Sequence, residues 1–383
     1  MNRALACCLV ASLIAPGPVA LAGQSGSFVV RLGTDTLGLE RYTRTADRLE
    51  GEQVWRAPVT VHRLFTATFG RGGRVDHFEL VTHNVTGGSG PAETKATLDF
   101  SRDSAISVVP EGDSTVRRSA RIVSGGGALP YYFQNYALVE EITRRARAAG
   151  GTRYRTTMVE LGGSEPWNVE VNRVGTDSMT LMLGPIGPLR AQVDSAGTLL
   201  GLSGIGSTVQ VTVERTADLD LATLGKDFAA RSLGPLSPAD SVQATIGDAT
   251  LTVHYARPSM RGRTIFGGVV PWNQVWRTGA NEATLLEISA DLVIGGTSVP
   301  AGKYSLWTIP GPRGWKLIIN KNTGQWGTEY AAQHDLVRLD MTVEPLGRPV
   351  EQFTIAIEPQ GDRGVLNLEW ARTRAWIPLS RTP

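Results

Sequence analysis

Four arginines, Arg257, Arg261, Arg263 and Arg277, share one irregular stretch, residues 255–284, with Trp272 and Trp276. A guanidinium can hold a carboxylate or a phosphate through two parallel hydrogen bonds. An indole can stack on a sugar ring, an arginine or a partner's surface. Asn281 and Glu282 follow in a turn that leads into the next apolar run. One reading is therefore a loop that recognises an anion or a sugar. The other is an ordered loop across one end of a β-sandwich. There the arginines would pair with Glu282, Glu287 or Asp291, and the tryptophans would plug the edge of the core.

Catalytic patterns do not accompany this loop. No Gly-x-Ser-x-Gly elbow, phosphate-binding loop, dinucleotide glycine fingerprint or His-Glu-x-x-His pair occurs. The histidines are His62, His77, His83, His254 and His334. His77 and His83 share a strand face but stand about 20 Å apart by strand rise, too far for one metal. No metal site, cofactor or catalytic residue is expected. Glu140-Glu141 reads as part of a solvated helix face.

Length and charge narrow the classes further. At 383 residues the chain exceeds one ordinary core, so two domains are expected. A 41% hydrophobic and 19% charged composition is globular, and a net charge of +2 gives no field that would favour nucleic acid. Residues 1–22 read as a signal peptide. Arg3 supplies the positive start, Ala4–Ala15 an uncharged apolar run, and Ala20-Leu21-Ala22 the cleavage site. The expectation is a periplasmic or secreted protein cut after Ala22. No stretch is long and apolar enough for a transmembrane helix. Both cysteines, Cys7 and Cys8, fall in the leader, and no apolar region precedes Cys7, which argues against a lipoprotein anchor.

The elements that must carry the loop are strands. Residues 23–215 alternate as an antiparallel β domain, interrupted by one helix over about residues 131–149. There Tyr132, Tyr136, Val139, Ile142 and Ala146 form an apolar stripe and Gly150-Gly151 terminates it. A curved sheet with this helix on its concave face is expected. Residues 216–240 read as a linker. Residues 241–383 read as a C-terminal β-sandwich or jelly roll. Leu251, Val253 and Tyr255 share one face, while Phe353, Ile355 and Ile357 answer Leu366, Leu368 and Trp370 across a turn.

Several runs in residues 241–379 carry a family resemblance. They are Tyr255-Ala-Arg-Pro-Ser with Arg261-Gly-Arg, Ile265-Phe-Gly-Gly-Val-Val-Pro, Val275-Trp-Arg-Thr-Gly-Ala-Asn-Glu-Ala-Thr, Pro300-Ala-Gly-Lys-Tyr-Ser-Leu-Trp-Thr-Ile-Pro, and Asn320-Lys with Gln325-Trp-Gly-Thr. Together they resemble the bacterial domain of unknown function 2911 family. The resemblance implies export and a compact β domain, and transfers no catalytic residue. Its words place the candidate binding positions at Arg257, Arg261, Arg263, Trp276, Arg277, Asn281, Glu282 and Trp326.

The function expected is a non-enzymatic binding or interaction module for a small molecule or a protein. A lipid carrier using the helix face Tyr132, Tyr136, Val139 and Ile142 over the curved sheet is one alternative. A carbohydrate hydrolase with its site at the Arg/Trp/Asn loop is another.

Overall fold

The computed structural model describes residues 23–85, 91–122 and 127–382. The expected signal peptide, with Cys7 and Cys8, lies outside these residues. The protein is mainly β and builds two large sheets.

Among the described residues the N-terminal sheet has fifteen strands in a nearly unbroken meander. The first eight are β1 (Gln24–Leu32), β2 (Asp35–Arg44), β3 (Arg48–Trp55), β4 (Val61–Phe69), β5 (Val75–Asn84), β6 (Glu93–Phe100), β7 (Ser104–Glu111) and β8 (Ser114–Arg121). The others are β9 (Leu129–Tyr131), β10 (Arg153–Glu160), β11 (Pro166–Arg173), β12 (Ser178–Leu183), β13 (Pro188–Val193), β14 (Leu199–Ser203) and β15 (Thr212–Thr216). Each run pairs in chain order, and β1 pairing with β15 joins them. All pairs are antiparallel except β9 with β10. Period-two alternation sets the faces: Met179, Leu181 and Leu183 on β12 are buried, as are Leu189, Ala191 and Val193 on β13.

Helix α1 (Tyr136–Ala148) supplies the other half of that core. Tyr136, Leu138 and Ile142 are buried in one cluster with Phe28, Phe65, Phe78 and Leu98 from the strands. The helix begins later than its stripe predicts. Pro130 and Tyr131 belong to β9, pairing with Val159 and Glu160, and Gln134 takes a positive φ of 66° that breaks the chain out of the strand. Asn135 then caps the helix by accepting from the Leu138 amide at 2.8 Å. Tyr132 precedes the helix but packs beside Phe65 and Phe78.

Glu140 does not lie on a solvated face. It is 1% exposed. The Tyr42 hydroxyl donates to its Oε1 at 2.5 Å and Arg144 pairs with the same oxygen at 2.8 Å, while the Leu199 amide donates to Oε2 at 3.2 Å and Arg215 pairs with that oxygen. Glu141 is flanked by Arg44 and Arg145. A second buried carboxylate, Glu40, accepts from the Tyr136 and Ala137 amides at 3.0 and 2.6 Å, at the positive end of α1. The apolar stripe is thus spent on packing, and two acids on the sheet side and helix side fix the helix in place.

The segment expected as a linker, residues 216–240, also carries structure. It holds α2 (Leu221–Ala229), capped by Asp220, and Leu221 packs against Leu39 and Val54 on the outer face of β2 and β3.

The C-terminal sheet has nine strands: β16 (Ala239–Ile246), β17 (Ala249–Ala256), β18 (Thr284–Ile288), β19 (Leu292–Ile294), β20 (Thr297–Val299), β21 (Gly302–Ile309), β22 (Trp315–Asn320), β23 (Asp335–Gln360) and β24 (Arg363–Arg381). Their order is β16-β17-β18-β21-β22-β23-β24-β19-β20. The long β23 serves two layers. Residues Asp335 to Met341 pair with β22, and from Thr342 onward the strand pairs with β24, with register breaks at Pro345/Val350 and Val350/Thr354. The layers close on one core that unites Leu251, Val253 and Leu286 with Ile355, Leu368 and Ile377. The Tyr255 hydroxyl crosses between them and accepts from the Ile355 amide at 3.0 Å. The expected pairing across the last turn is met, with Ile355 opposite Leu368 and Ile357 opposite Leu366.

Candidate ligand-binding cleft

The stretch between β17 and β18 has no strand of its own, yet its backbone is tied at many points. Trp276 and Thr308 exchange amide hydrogen bonds at 2.7 and 2.9 Å, the Asn273 amide donates to Pro310 at 2.7 Å, and the Gly327 amide donates to Asn281 at 2.9 Å. Arg261, Asn273, Thr278 and Asn281 all adopt positive φ between 50° and 60°. Such a backbone persists only where its surroundings hold it. The loop is therefore rigid by construction, as a binding surface on a scaffold requires.

Its four arginines meet four different fates. Arg257 donates to Asp240 at 3.0 Å, to the Thr354 hydroxyl at 2.9 Å and to the Phe353 carbonyl at 3.1 Å, locking β17 to β23. Arg261 pairs with Asp35 of the N-terminal sheet, and its carbonyl accepts from the Thr34 amide at 2.9 Å. Gly33 and Gly262 make that approach possible: a Cβ on Gly33 would lie 1.9 Å from the Arg261 carbonyl oxygen, and one on Gly262 2.7 Å from the Thr34 methyl. Arg263 donates to the Met260 and Ser259 carbonyls at 3.0 and 2.7 Å. Burial, with Arg261 nearby, lowers its pKa. Arg277 has no such partner: its Nε is buried without a hydrogen bond. Burial alone lowers its pKa. None of the pairings foreseen with Glu282, Glu287 or Asp291 forms. Glu287 instead pairs with Lys303, and Asp291 accepts from the Ala301 amide.

The joined sheets enclose a cleft of about 1140 Å³. Of the positions singled out from sequence, Arg263, Trp276, Arg277, Asn281 and Trp326 line it, whereas Arg257, Arg261 and Glu282 do not. Arg257 and Arg261 build the scaffold instead. Glu282 is exposed and bridges Trp326 through its backbone. On the C-terminal side Trp276 stacks on Trp370 at 5.8 Å with rings 18° apart, and Trp307 lies 5.1 Å from Tyr330. Trp326 is 46% exposed at the rim.

The opposite wall comes from the N-terminal sheet and was not foreseen. Tyr131 at the end of β9 and Trp167 on β11 pack with ring centroids 4.5 Å apart, and Phe133, half exposed, sits edge-on to Trp55 at 6.0 Å. Glu160, the last residue of β10, also faces the cleft, and burial raises its pKa. Among the described residues no group of three or more His, Cys, Asp or Glu is placed to hold a metal ion. His62 and His83 oppose each other on β4 and β5 with their rings 6.2 Å apart, each beside a glutamate. No helix among them is long and apolar enough to cross a membrane.

Comparison with known proteins agrees with the C-terminal resemblance. Residues 237–379 match the family described as Protein of unknown function (DUF2911). The match covers nearly all of the C-terminal sheet. The N-terminal sheet has no family assignment. No curated protein matches the chain. Among solved structures, a DUF1089 family protein from Pseudomonas aeruginosa aligns with a TM-score of 0.33 and 13% identity, over 43% of this chain and 89% of that one. A β-barrel-like protein of the domain of unknown function DUF1849 from Brucella abortus aligns with a TM-score of 0.34 and 12% identity, over 52% of this chain and 96% of that one.

The DUF2911 words acquire physical meaning in this geometry. Gly327, in the run Gln325-Trp326-Gly327-Thr328, lies against Arg277. A Cβ there would fall 2.1 Å from the Arg277 Cδ and 2.5 Å from the Asn281 carbonyl oxygen. Only a glycine lets the arginine stem pass, so two words far apart in sequence shape one wall of the cleft.

Proposed function

We propose that this protein is an exported, non-enzymatic binding protein whose cleft between the two sheets takes a small molecule with a flat ring or sugar face. One observation carries the reading: a cleft of about 1140 Å³ is walled on both sides by aromatic rings, with a few polar groups among them. That size suits a small-molecule ligand, and such lining is the usual make-up of its site. Trp276 and Trp326 supply ring faces, Asn281 a directional polar group. Export rests on the leader pattern of residues 1–22. The carrier alternative is disfavoured by α1, whose Leu138 and Ile142 are 1% and 0% exposed and fill the space a lipid would need.

Quenching of tryptophan fluorescence by a panel of mono- and disaccharides and aromatic alcohols tests the reading. Saturable binding is expected, weakened at least tenfold by Trp326→Ala, since stacking on an aromatic ring contributes about 1–3 kcal/mol. Binding that ignores Trp326→Ala and Trp276→Ala would place the ligand elsewhere.

One observation favours a hydrolase as a second reading. Glu160 presents a half-buried carboxyl of raised pKa to an aromatic cleft, the setting of a general acid. Turnover of chromogenic glycosides, abolished by Glu160→Gln, would replace binding with catalysis. Wild-type protein inert towards the same glycosides would remove that reading.

A further inference from the structure

The arginines that join the elements of this fold each have a side-chain or carbonyl partner, although the Nε of Arg261 and of Arg147, like that of Arg277, is buried without an acceptor. Arg215 and Arg144 meet Glu140, Arg257 meets Asp240, and Arg261 meets Asp35. Even Arg263, without a carboxylate, donates to two carbonyls. Arg277 departs from this rule inside the cleft. Its Nε is shut away from solvent with no acceptor, and among the described residues no carboxylate comes close enough to pair with it. Glu329 spends one oxygen on the Trp326 amide at 3.4 Å, and Glu160 belongs to the opposite wall. A guanidinium carries five N–H donors in a plane and stays charged at any ordinary pH. Leaving it half-buried and unpaired is costly. Its stem is nonetheless held in place: the missing Cβ of Gly327 makes room for it, and the backbone pairing of Asn281 with Gly327 braces the turn beside it.

We infer that Arg277 is the anion-binding group of the cleft, and that the ligand is a ring-bearing organic anion, a carboxylate or a phosphate ester, whose charged end meets the guanidinium while its ring lies on the Trp276 and Trp326 side. This inference rests on the binding reading above and narrows it to one chemical class. A bidentate guanidinium–oxyanion pair through Nε and one terminal nitrogen would satisfy the orphaned Nε and supply the counter-charge the protein withholds. Arg263 lends a second positive charge to the same cleft. The discrimination expected is against neutral analogues, because a site built around an uncompensated charge binds poorly what leaves that charge unpaired.

The test uses three probes of one shape, phenyl phosphate, benzoate and benzyl alcohol, titrated into the purified protein and followed by tryptophan fluorescence. At least one anion is expected to bind about tenfold or more tighter than benzyl alcohol, as a charge-assisted hydrogen bond implies. The better of the two anions identifies phosphate or carboxylate as the ligand's head. Arg277→Gln should abolish the preference, bringing that anion to the level that benzyl alcohol shows on the same variant. Arg277→Lys should keep part of the preference, since the charge survives without the fork. Near-UV circular dichroism of each variant verifies the fold, and the lysine variant carries the test if the glutamine variant misfolds. Equal affinity for anions and benzyl alcohol in the wild type would overturn the inference and leave the binding reading standing. An anion preference that persists in Arg277→Gln would also overturn it, moving the charge recognition to Arg263. Failure of all three probes, with failure of the sugar and alcohol panel, would remove the binding reading itself.

Discussion

Glu140 and Arg277 are both charges withdrawn from water, and the protein treats them in opposite ways. Around Glu140 the N-terminal sheet assembles Tyr42, Arg144, Arg215 and the Leu199 amide, brought together from across the chain onto two oxygens. Around Arg277 the C-terminal sheet assembles aromatic rings and no acceptor for its Nε. The first arrangement serves folding: it anchors α1 inside the curved sheet and leaves no orphaned group. The second leaves a local electrostatic deficit at the wall of a cleft. A fold able to satisfy Glu140 so fully could satisfy Arg277, so the deficit marks the place where something else completes the site. Perturbations of the two regions should accordingly differ in kind.

The largest effect is expected at Glu140. Glu140→Ala leaves Arg144 and Arg215 facing an emptied buried position, and denaturant titration should show a loss of about 3–5 kcal/mol. A loss under about 1 kcal/mol would mean that the network does not anchor the helix.

Glu40 adds a pH dependence to the same region. Burial raises its pKa from 4.5 to about 8, against the pull of the Ala137 and Tyr136 amides and Gln53. Between those two values the folded protein holds a proton that the unfolded chain releases. The resulting stability is full below pH 4.5 and is lost as pH rises through about 8. Thermal unfolding should therefore show a Tm that falls from pH 5 to pH 8, at ~2–4 °C for each kcal/mol. Glu40→Gln should flatten that slope. A Tm that rises over the range would show that Glu40 stays ionised.

On the other side of the comparison, Gly327→Ala forces a Cβ into the Arg277 stem and the Asn281 carbonyl. It should cost about 1–3 kcal/mol by overpacking and weaken anion binding more than benzyl alcohol binding. Equal weakening of both probes would show that Gly327 shapes the cleft without positioning the guanidinium.

Asp35→Asn, which removes one partner of the bridge joining the two sheets, should have the smallest effect, about 1 kcal/mol, because Asp35 is a third exposed. Its interest lies in affinity. If the two walls must be held together, ligand binding weakens in Asp35→Asn although neither Asp35 nor Arg261 lines the cleft.

Much of the scaffold was legible in the chain because period two is a local signal. The faces of β12, β13, β17 and the β23–β24 turn follow directly from alternation. Where the pattern ran on, it misled. Tyr132 sits at helical spacing from Tyr136, yet the chain breaks at Gln134 and the helix starts after Asn135. Glu140 reads as solvated beside Glu141 because its partners Tyr42, Leu199 and Arg215 lie far away in sequence. The site was half legible for the same reason. Arg263, Trp276, Arg277, Asn281 and Trp326 stood out by type and spacing, whereas Tyr131, Phe133, Glu160 and Trp167 reach the cleft only through the joining of two sheets. That Arg277 alone of the four arginines lacks a partner among the described residues is a fact of three dimensions, since Asp35, Asp240 and the Ser259 carbonyl could not be assigned from order along the chain.

The denaturation midpoint of Arg277→Met, set beside that of the wild type without any ligand, bears most directly on the contrast between the two charges. If the guanidinium is held for a ligand, replacing it with an apolar side chain of similar length relieves an unpaired buried charge, and the variant unfolds at the same or a higher denaturant concentration. A loss of about 3 kcal/mol or more, comparable to that of Glu140→Ala, would show that Arg277 serves the fold and contradict its assignment to the ligand.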